Sequence, residues 1–274
     1  MTLSELLENK ANEIRKETLL IHKRAIETRV ASSLSPIEVF VALYYGGVLN
    51  YDPKTPLWED RDRFVISKGH GSISMYPILA DLGFFDKSEL ENVCKPGSFL
   101  GGIPDPIIPG YETINGSLGH GLGVASGMAV ALSAKHSDSS VFVLVGDGEL
   151  NEGSNWEAIM FAAHNRLDNL IVIVDENKVS MLDFTKNILD ISPLAARFEA
   201  FGFECFSVEG HDVTSVQNIL LSAKEAKNKK PKVVLAQTIK GKGVPFLESH
   251  PLSHILSLKP DEVDEIIRGL DARD

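Results

Sequence analysis

Long apolar runs are missing from this chain: no stretch approaches the roughly 18 uninterrupted apolar residues that a membrane span requires. A membrane partner is therefore not expected. The opening segment MTLSELLENKANEIRK is charged and amphipathic, unlike a secretory signal, which makes the cytoplasm the expected location. Cysteine is scarce. Cys94 and Cys205 are the only two, and their spacing suits neither a zinc site nor a redox pair, so both are read as reduced packing residues. Positive charge is also in deficit, with 27 Lys and Arg against 38 Asp and Glu and a formal net charge of −11. Lysines gather only over residues 224–232, at the end of a predicted helix, so nucleic acid is not an expected partner. No G-x-G-x-x-G turn follows the first predicted strand, which removes the usual dinucleotide fingerprint. Repeats and low-complexity segments are absent too.

What is present describes an ordinary globular chain. Its 274 residues, 43% hydrophobic and 24% charged, suffice for a sheet buried between helices, and a single domain over 1–274 is expected. Helical patterns cover about 3–28 and 35–45, the second opening on Ser35 as a cap before Pro36. Beyond the turn-rich segment 50–56, short β-branched runs at 63–66, 141–145, 170–174, 204–208 and 233–237 alternate with helical patterns. Near-continuous apolar strands alternating with helices predict a doubly wound α/β fold: a mostly parallel sheet covered by helices on both faces. Ligands in such sheets bind beyond the carboxyl ends of the strands, so chemistry-bearing residues should follow the strands directly.

They do so twice. The run 141–145 ends in Gly146-Asp147-Gly148, and the run 170–174 leads to Asp175-Glu176-Asn177-Lys178-Val179. Mg²⁺ takes oxygen ligands and combines a few protein donors with phosphate oxygens and water. One carboxylate, one amide oxygen and one backbone carbonyl from neighbouring strands would form such a set. The glycines admit a bulky anion close to the backbone, and a helix over about 153–166 would turn its positive end toward it. On an acidic chain an anion needs a local site of this kind, built of backbone N–H groups and a bound cation. Gly-Asp-Gly alone is equally ordinary turn chemistry.

The two segments together, one strand-helix-strand unit apart, resemble the thiamine diphosphate motif, whose usual ending is Asn-Asn rather than Glu-Asn. The resemblance extends to the N-terminal part of transketolases, and above all to the small subunits in which that enzyme is split into two chains. It is carried by SKGHGSISMYPILADLGFF, PGYETINGSLGHGLGVASGMAVAL, VGDGELNEGSNWEAIMFAAH, NLIVIVDENKVSMLDFT and KGKGVPFLE, in family order over most of the chain. It implies thiamine diphosphate and Mg²⁺ as cofactors. Asp147, Asn177 and the carbonyl of Val179 would be the metal ligands, with Gly146 and Gly148 at the diphosphate. Gly116, Ser117 and Leu118, with Gly119, would lie along the thiazolium and aminopyrimidine. His70 would stand near the diphosphate and the substrate channel and His254 in the channel, both as catalytic residues. Glu152 and Glu157 match glutamates at the contact between halves of the assembly, and helix capping is the other reading of these two acids. Trp156, Ile159 and Met160 are read as packing residues. His22, His136, His211 and His250 are read as polar surface residues.

The implied reaction moves a two-carbon ketol unit, or an acetyl unit, from a ketose or 2-keto acid donor to an aldehyde acceptor. In the family a glutamate on the pyrimidine-binding domain activates the cofactor, so the expected partner is a C-terminal, pyrimidine-binding transketolase-like subunit, in a heterotetramer. A non-catalytic cofactor-binding or regulatory homologue is the alternative. Four further positions depart from the family pattern. Arg29 and Ile103 stand where histidines that touch the donor sugar are usual, His120 replaces a Gln, and Ser253 replaces a Trp. An isoleucine cannot bond a hydroxyl, whereas an arginine offers a planar fork to a carboxylate or phosphate. A changed donor is expected, either pyruvate or an unusual ketose of a specialised pathway.

Overall fold

The structure is a computed structural model and describes residues 1–271. Three helices come first: α1 (Leu3–Arg24), α2 (Val30–Leu34) and α3 (Ile37–Tyr45). Then follow β1 (Arg63–Ile66), α4 (Met75–Asp81), α5 (Gly121–Ala134), β2 (Val141–Gly146), α6 (Gly153–His164) and β3 (Leu170–Glu176). The rest comprises α7 (Thr185–Ile188), α8 (Leu194–Ala200), β4 (Glu204–Glu209), α9 (Val213–Glu225), β5 (Lys232–Gln237), α10 (Pro245–Glu248) and α11 (Pro260–Asp271).

The strands form one parallel sheet in the order β1-β2-β3-β5-β4. Side chains alternate across a strand, and in β2 and β3 both sets are buried. Phe142, Leu144, Ile171 and Ile173 join a core with α1, α3, α4 and α9, while Val143, Val145, Val172 and Val174 join a second core with α5, α6 and α8. Two covered faces account for the apolar runs, and the doubly wound reading holds. The outer strand β4 is half-exposed.

The chain leaves β1 toward α4 on the first face and leaves β2 toward α6 on the second. Connections parting in opposite directions open a crevice between the two carboxyl ends, where a ligand can reach backbone from both sides. Strand positions match the expectation to within two residues. Helix positions needed more correction. α1 stops at Arg24 rather than near 28, because the Thr28 hydroxyl donates to the Ala25 carbonyl at 2.8 Å and meets His22 Nδ1 at 2.8 Å, folding residues 25–28 into a turn. Ser35 caps no helix: α3 begins after Pro36, and the Ser35 hydroxyl donates to Asp175 at 2.6 Å. α6 ends at His164. His22 is buried rather than superficial, and His211, expected at the surface too, is largely enclosed with both ring nitrogens engaged. Of the lysines of 224–232, Lys224 pairs with Asp62 and Lys232 donates to the Asp168 carbonyl, while Lys227, Lys229 and Lys230 are exposed.

Candidate functional site

The carboxyl ends of β1, β2, β3 and β5 surround a cavity of about 250 Å³. Of the residues read from the sequence, it is lined by His70, Gly116, Leu118, Gly146, Asp147, Gly148, Asn177, Val179 and His254, together with Lys68, Glu149 and Lys240. Ser117 is exposed and stands outside this lining. A larger cavity of about 680 Å³ lies beyond Asp147 and Lys178, among Phe184, Ile191, Leu194 and Leu235, and contains no other predicted site residue.

Asp147 follows β2 directly. Its carboxylate accepts the Gly148 N–H at 2.8 Å and the Lys178 N–H at 2.6 Å, which orients both oxygens and leaves lone pairs unused. Burial, helped by the Asp175 carboxylate, pushes its pKa up to about 7. A buried carboxylate that resists ionisation is well matched to a cation brought against it. Asn177 Oδ1 accepts the Val179 N–H at 3.1 Å, and the Val179 carbonyl accepts from Lys240 Nζ at 3.0 Å. Carboxylate, amide oxygen and backbone carbonyl thus face one cavity, a hard-oxygen set that fits Mg²⁺.

Asp175, the last buried residue of β3, ties the site together. It receives Lys68 Nζ, the hydroxyls of Ser35 and Thr238, and Asn177 Nδ2 at 3.1 Å. Burial alone would raise its pKa, but Lys68 and these hydrogen bonds outweigh it and hold the group ionised. Glu149 does similar work for the loop before α5. It accepts the Gly119 N–H at 2.9 Å, the Gly146 N–H at 3.1 Å and the Ser67 hydroxyl, and Ser67 in turn accepts the Gly121 N–H. Close approach requires glycine at two positions around the site. A Cβ on Gly69 would collide with the Asn115 carbonyl, and one on Gly119, at φ +86°, would lie 2.6 Å from Ser154 Oγ.

The rings of His70 and His254 meet edge to face with centroids 4.8 Å apart. Burial, then the charges of Lys68 and Lys240, pushes His70 far below the ordinary imidazole range. Burial, then Lys240 and Arg29, lowers His254 to about 3. Both rings are neutral donors and acceptors near neutral pH. Lys240, beside His254 Nδ1 at 3.2 Å, is itself lowered to about 7 by burial and by Lys68. Arg29 is exposed but close enough for its charge to act on His254. Ile103 is 45% exposed and lies over Gly69 and Gly116 at the mouth.

Glu152 and Glu157 are exposed at the start of α6. Glu152 occupies the cap position of α6 without a side-chain hydrogen bond, so only its charge can serve as a cap, whereas Glu157 lies beyond the first turn. Ile159 and Trp156 pack into the second core, whereas Met160 is exposed. Sequence reading missed Ser35, Asp175, Glu149, Thr238 and Lys240. Asp175 and Glu149 carried a usable signal, since each is an acid at the end of an apolar strand inside a matched segment.

Residues 11–272 match the family model described as the transketolase, thiamine diphosphate binding domain. Among curated proteins, an apulose-4-phosphate transketolase subunit of Actinobacillus succinogenes is 42% identical over 96% of this chain and 95% of its own length. The 6-deoxy-6-sulfo-D-fructose transketolase subunit SqwG of a Clostridium species is 39% identical over 92% of this chain and 91% of its own length. The solved transketolase of Campylobacter jejuni superposes with a TM-score of 0.90 at 30% identity, covering 97% of this chain and 43% of that one. The chain therefore spans less than half of that transketolase and nearly the full length of the two subunits.

Proposed function

The chain belongs to the transketolase thiamine diphosphate-binding family, and from that premise we propose that it is the diphosphate-binding subunit of a two-chain enzyme moving a two-carbon ketol unit between sugars. The observation that carries this reading is the convergence of Asp147, Asn177, the Val179 carbonyl, the Gly116 and Leu118 loop and the His70–His254 pair on one cavity. Asp147, Asn177 and Val179 would hold Mg²⁺, and the backbone around Gly146 and Gly148 would receive the diphosphate. When bound, thiamine diphosphate would supply the carbon nucleophile for two-carbon transfer.

This chain's own residues bind, orient and exclude. Lys68 pairs with Asp175 at the strand ends, and Glu149 holds the loop that would lie along the cofactor. His70 and His254, kept neutral by burial and neighbouring cations, would hydrogen-bond donor hydroxyls as neutral imidazoles. Ile103 offers a hydroxyl no partner, while Arg29 adds a charged fork at the mouth. Both relatives are named for anionic ketoses, one a phosphate and one a sulfonate. This favours an anionic ketose of a specialised pathway over acetyl transfer from pyruvate. The partner is a C-terminal, pyrimidine-binding subunit, assembled as a heterotetramer with Glu152 and Glu157 at the contact. The whole chain acts as one domain in the cytoplasm.

The test is reconstitution with the companion subunit, thiamine diphosphate and Mg²⁺, comparing phosphorylated and sulfonated ketoses with pyruvate. Ketol transfer to an aldehyde acceptor is the expected result. Faster CO₂ release from pyruvate would replace ketol by acetyl transfer, and saturable cofactor binding without turnover on any donor would leave a non-catalytic homologue.

A further inference from the structure

His211 lies in the turn between β4 and α9, outside the lining of the cavity. Its side chain is only 8% exposed and both ring nitrogens are engaged. Nε2 accepts the Ile239 N–H at 2.7 Å, and Nδ1 lies 3.0 Å from Glu38 Oε2. A backbone N–H can only donate, so Nε2 carries the lone pair and the proton sits on Nδ1, facing the carboxylate. Glu38, on α3, uses its other oxygen to pair with Arg15 Nη2 on α1. Burial opposes ionisation of Glu38, but Arg15 and His211 outweigh it and hold the carboxylate charged.

These three side chains grip both ends of one short segment, residues 239–243. Ile239 is held through His211. At the other end Gly243 takes φ +92°, and a Cβ there would lie 2.5 Å from Arg15 Cδ, so the arginine stem is laid directly against it. Between the two ends Lys240 projects into the site, with Nζ on the Val179 carbonyl and beside His254.

We infer that His211 is a positioning residue, which with Glu38 and Arg15 clamps residues 239–243 so that Lys240 meets the Val179 carbonyl and His254. The link from clamp to cofactor rests on the reading of the site given above. Its carboxylate-imidazole-donor order resembles the outer carboxylates that fix the tautomer of metal-binding histidines, here applied to a backbone N–H.

The test uses the full chain and two variants, each assembled with the companion subunit for the affinity measurement. His211→Ala removes both hydrogen bonds, whereas His211→Gln can present its amide oxygen to Ile239 and its NH₂ to Glu38. Amide hydrogen exchange at Ile239 is measured without cofactor, and the dissociation constant of Mg²⁺–thiamine diphosphate by titration calorimetry. Loss of a hydrogen bond of this type corresponds to roughly ten-fold. His211→Ala is expected to speed exchange at Ile239 and weaken cofactor binding by about that factor, with His211→Gln within about three-fold of the parent on both. Parent-like exchange in His211→Ala overturns the clamp. Faster exchange with unchanged affinity overturns its link to the site, and a Gln variant as poor as Ala overturns the hydrogen-bonding role. Failure of the parent chain to bind cofactor even when assembled with its companion subunit would instead count against the proposed function, leaving exchange at Ile239 to judge the clamp.

Discussion

The charge of Asp147 sits where burial and Asp175 both oppose it, with two backbone N–H groups fixing its direction. Asp147→Ala is expected to weaken Mg²⁺-dependent thiamine diphosphate binding by more than about 100-fold, since even outer-shell changes at metal sites cost 10- to 100-fold. Calorimetry with and without Mg²⁺ would check it, and unchanged binding would sink the metal assignment. Arg29 acts at longer range and is exposed, so its replacement should be milder. Arg29→Gln is expected to raise KM for an anionic donor about three- to ten-fold with little change in kcat, the pattern of a group that binds ground and transition states alike. A steady-state comparison of anionic and neutral ketoses would separate this from general damage. At this scale much was readable in advance. Asp147, Asn177, Val179 and His70 stand in contiguous motifs, whereas His254 lies beyond the last of them and the partners of Asp175 come from Ser35, Lys68 and Thr238, three separate segments that only folding brings together.

Between elements, His22 joins the end of α1 to the turn that follows it and to one distant piece of chain. Nδ1 meets Thr28, and Nε2 accepts the Leu258 N–H at 3.1 Å just ahead of α11. Burial lowers its pKa to about 4 from 6.5. In the unfolded chain the ring takes up a proton at higher pH than in the fold, so this group's stabilising contribution is complete above about pH 6.5 and is lost as pH falls toward 4. The difference corresponds to about 3 kcal/mol at the low-pH end. Thermal melts between pH 7 and 4 should show His22→Gln losing less stability than the parent over this window, because the amide never needs a proton. An equal slope in both proteins would remove His22 as the source. Elements themselves were the most readable level, since strands buried on both faces betray themselves as unbroken apolar runs. Their ends were not: α1 stops where the Thr28 hydroxyl captures the Ala25 carbonyl, and Ser35 serves a strand rather than a cap. Side-chain bonds of that kind leave no periodic trace.

For the whole molecule, half of the cofactor's surroundings must come from elsewhere if the proposed function holds, and the surface should show where. The entire α5 helix carries no charged side chain, yet Val124 on it is exposed, and Met160 and Phe161 of the adjoining α6 are also exposed, beside Glu157. Apolar side chains held in water contribute little to an isolated chain, so Met160→Glu should leave its melting temperature within about 1–2 °C of the parent, the range of a surface change. In an assembly the same position would become a buried charge near Glu157, a combination that costs several kcal/mol unless paired. Sedimentation of the variant with the companion subunit should then show dissociated chains at concentrations where the parent mixture is assembled, and turnover should fall in proportion while the variant keeps its own affinity for Mg²⁺–thiamine diphosphate. Normal assembly of Met160→Glu would move the contact away from this face of α6 and withdraw Glu152 and Glu157 from it as well.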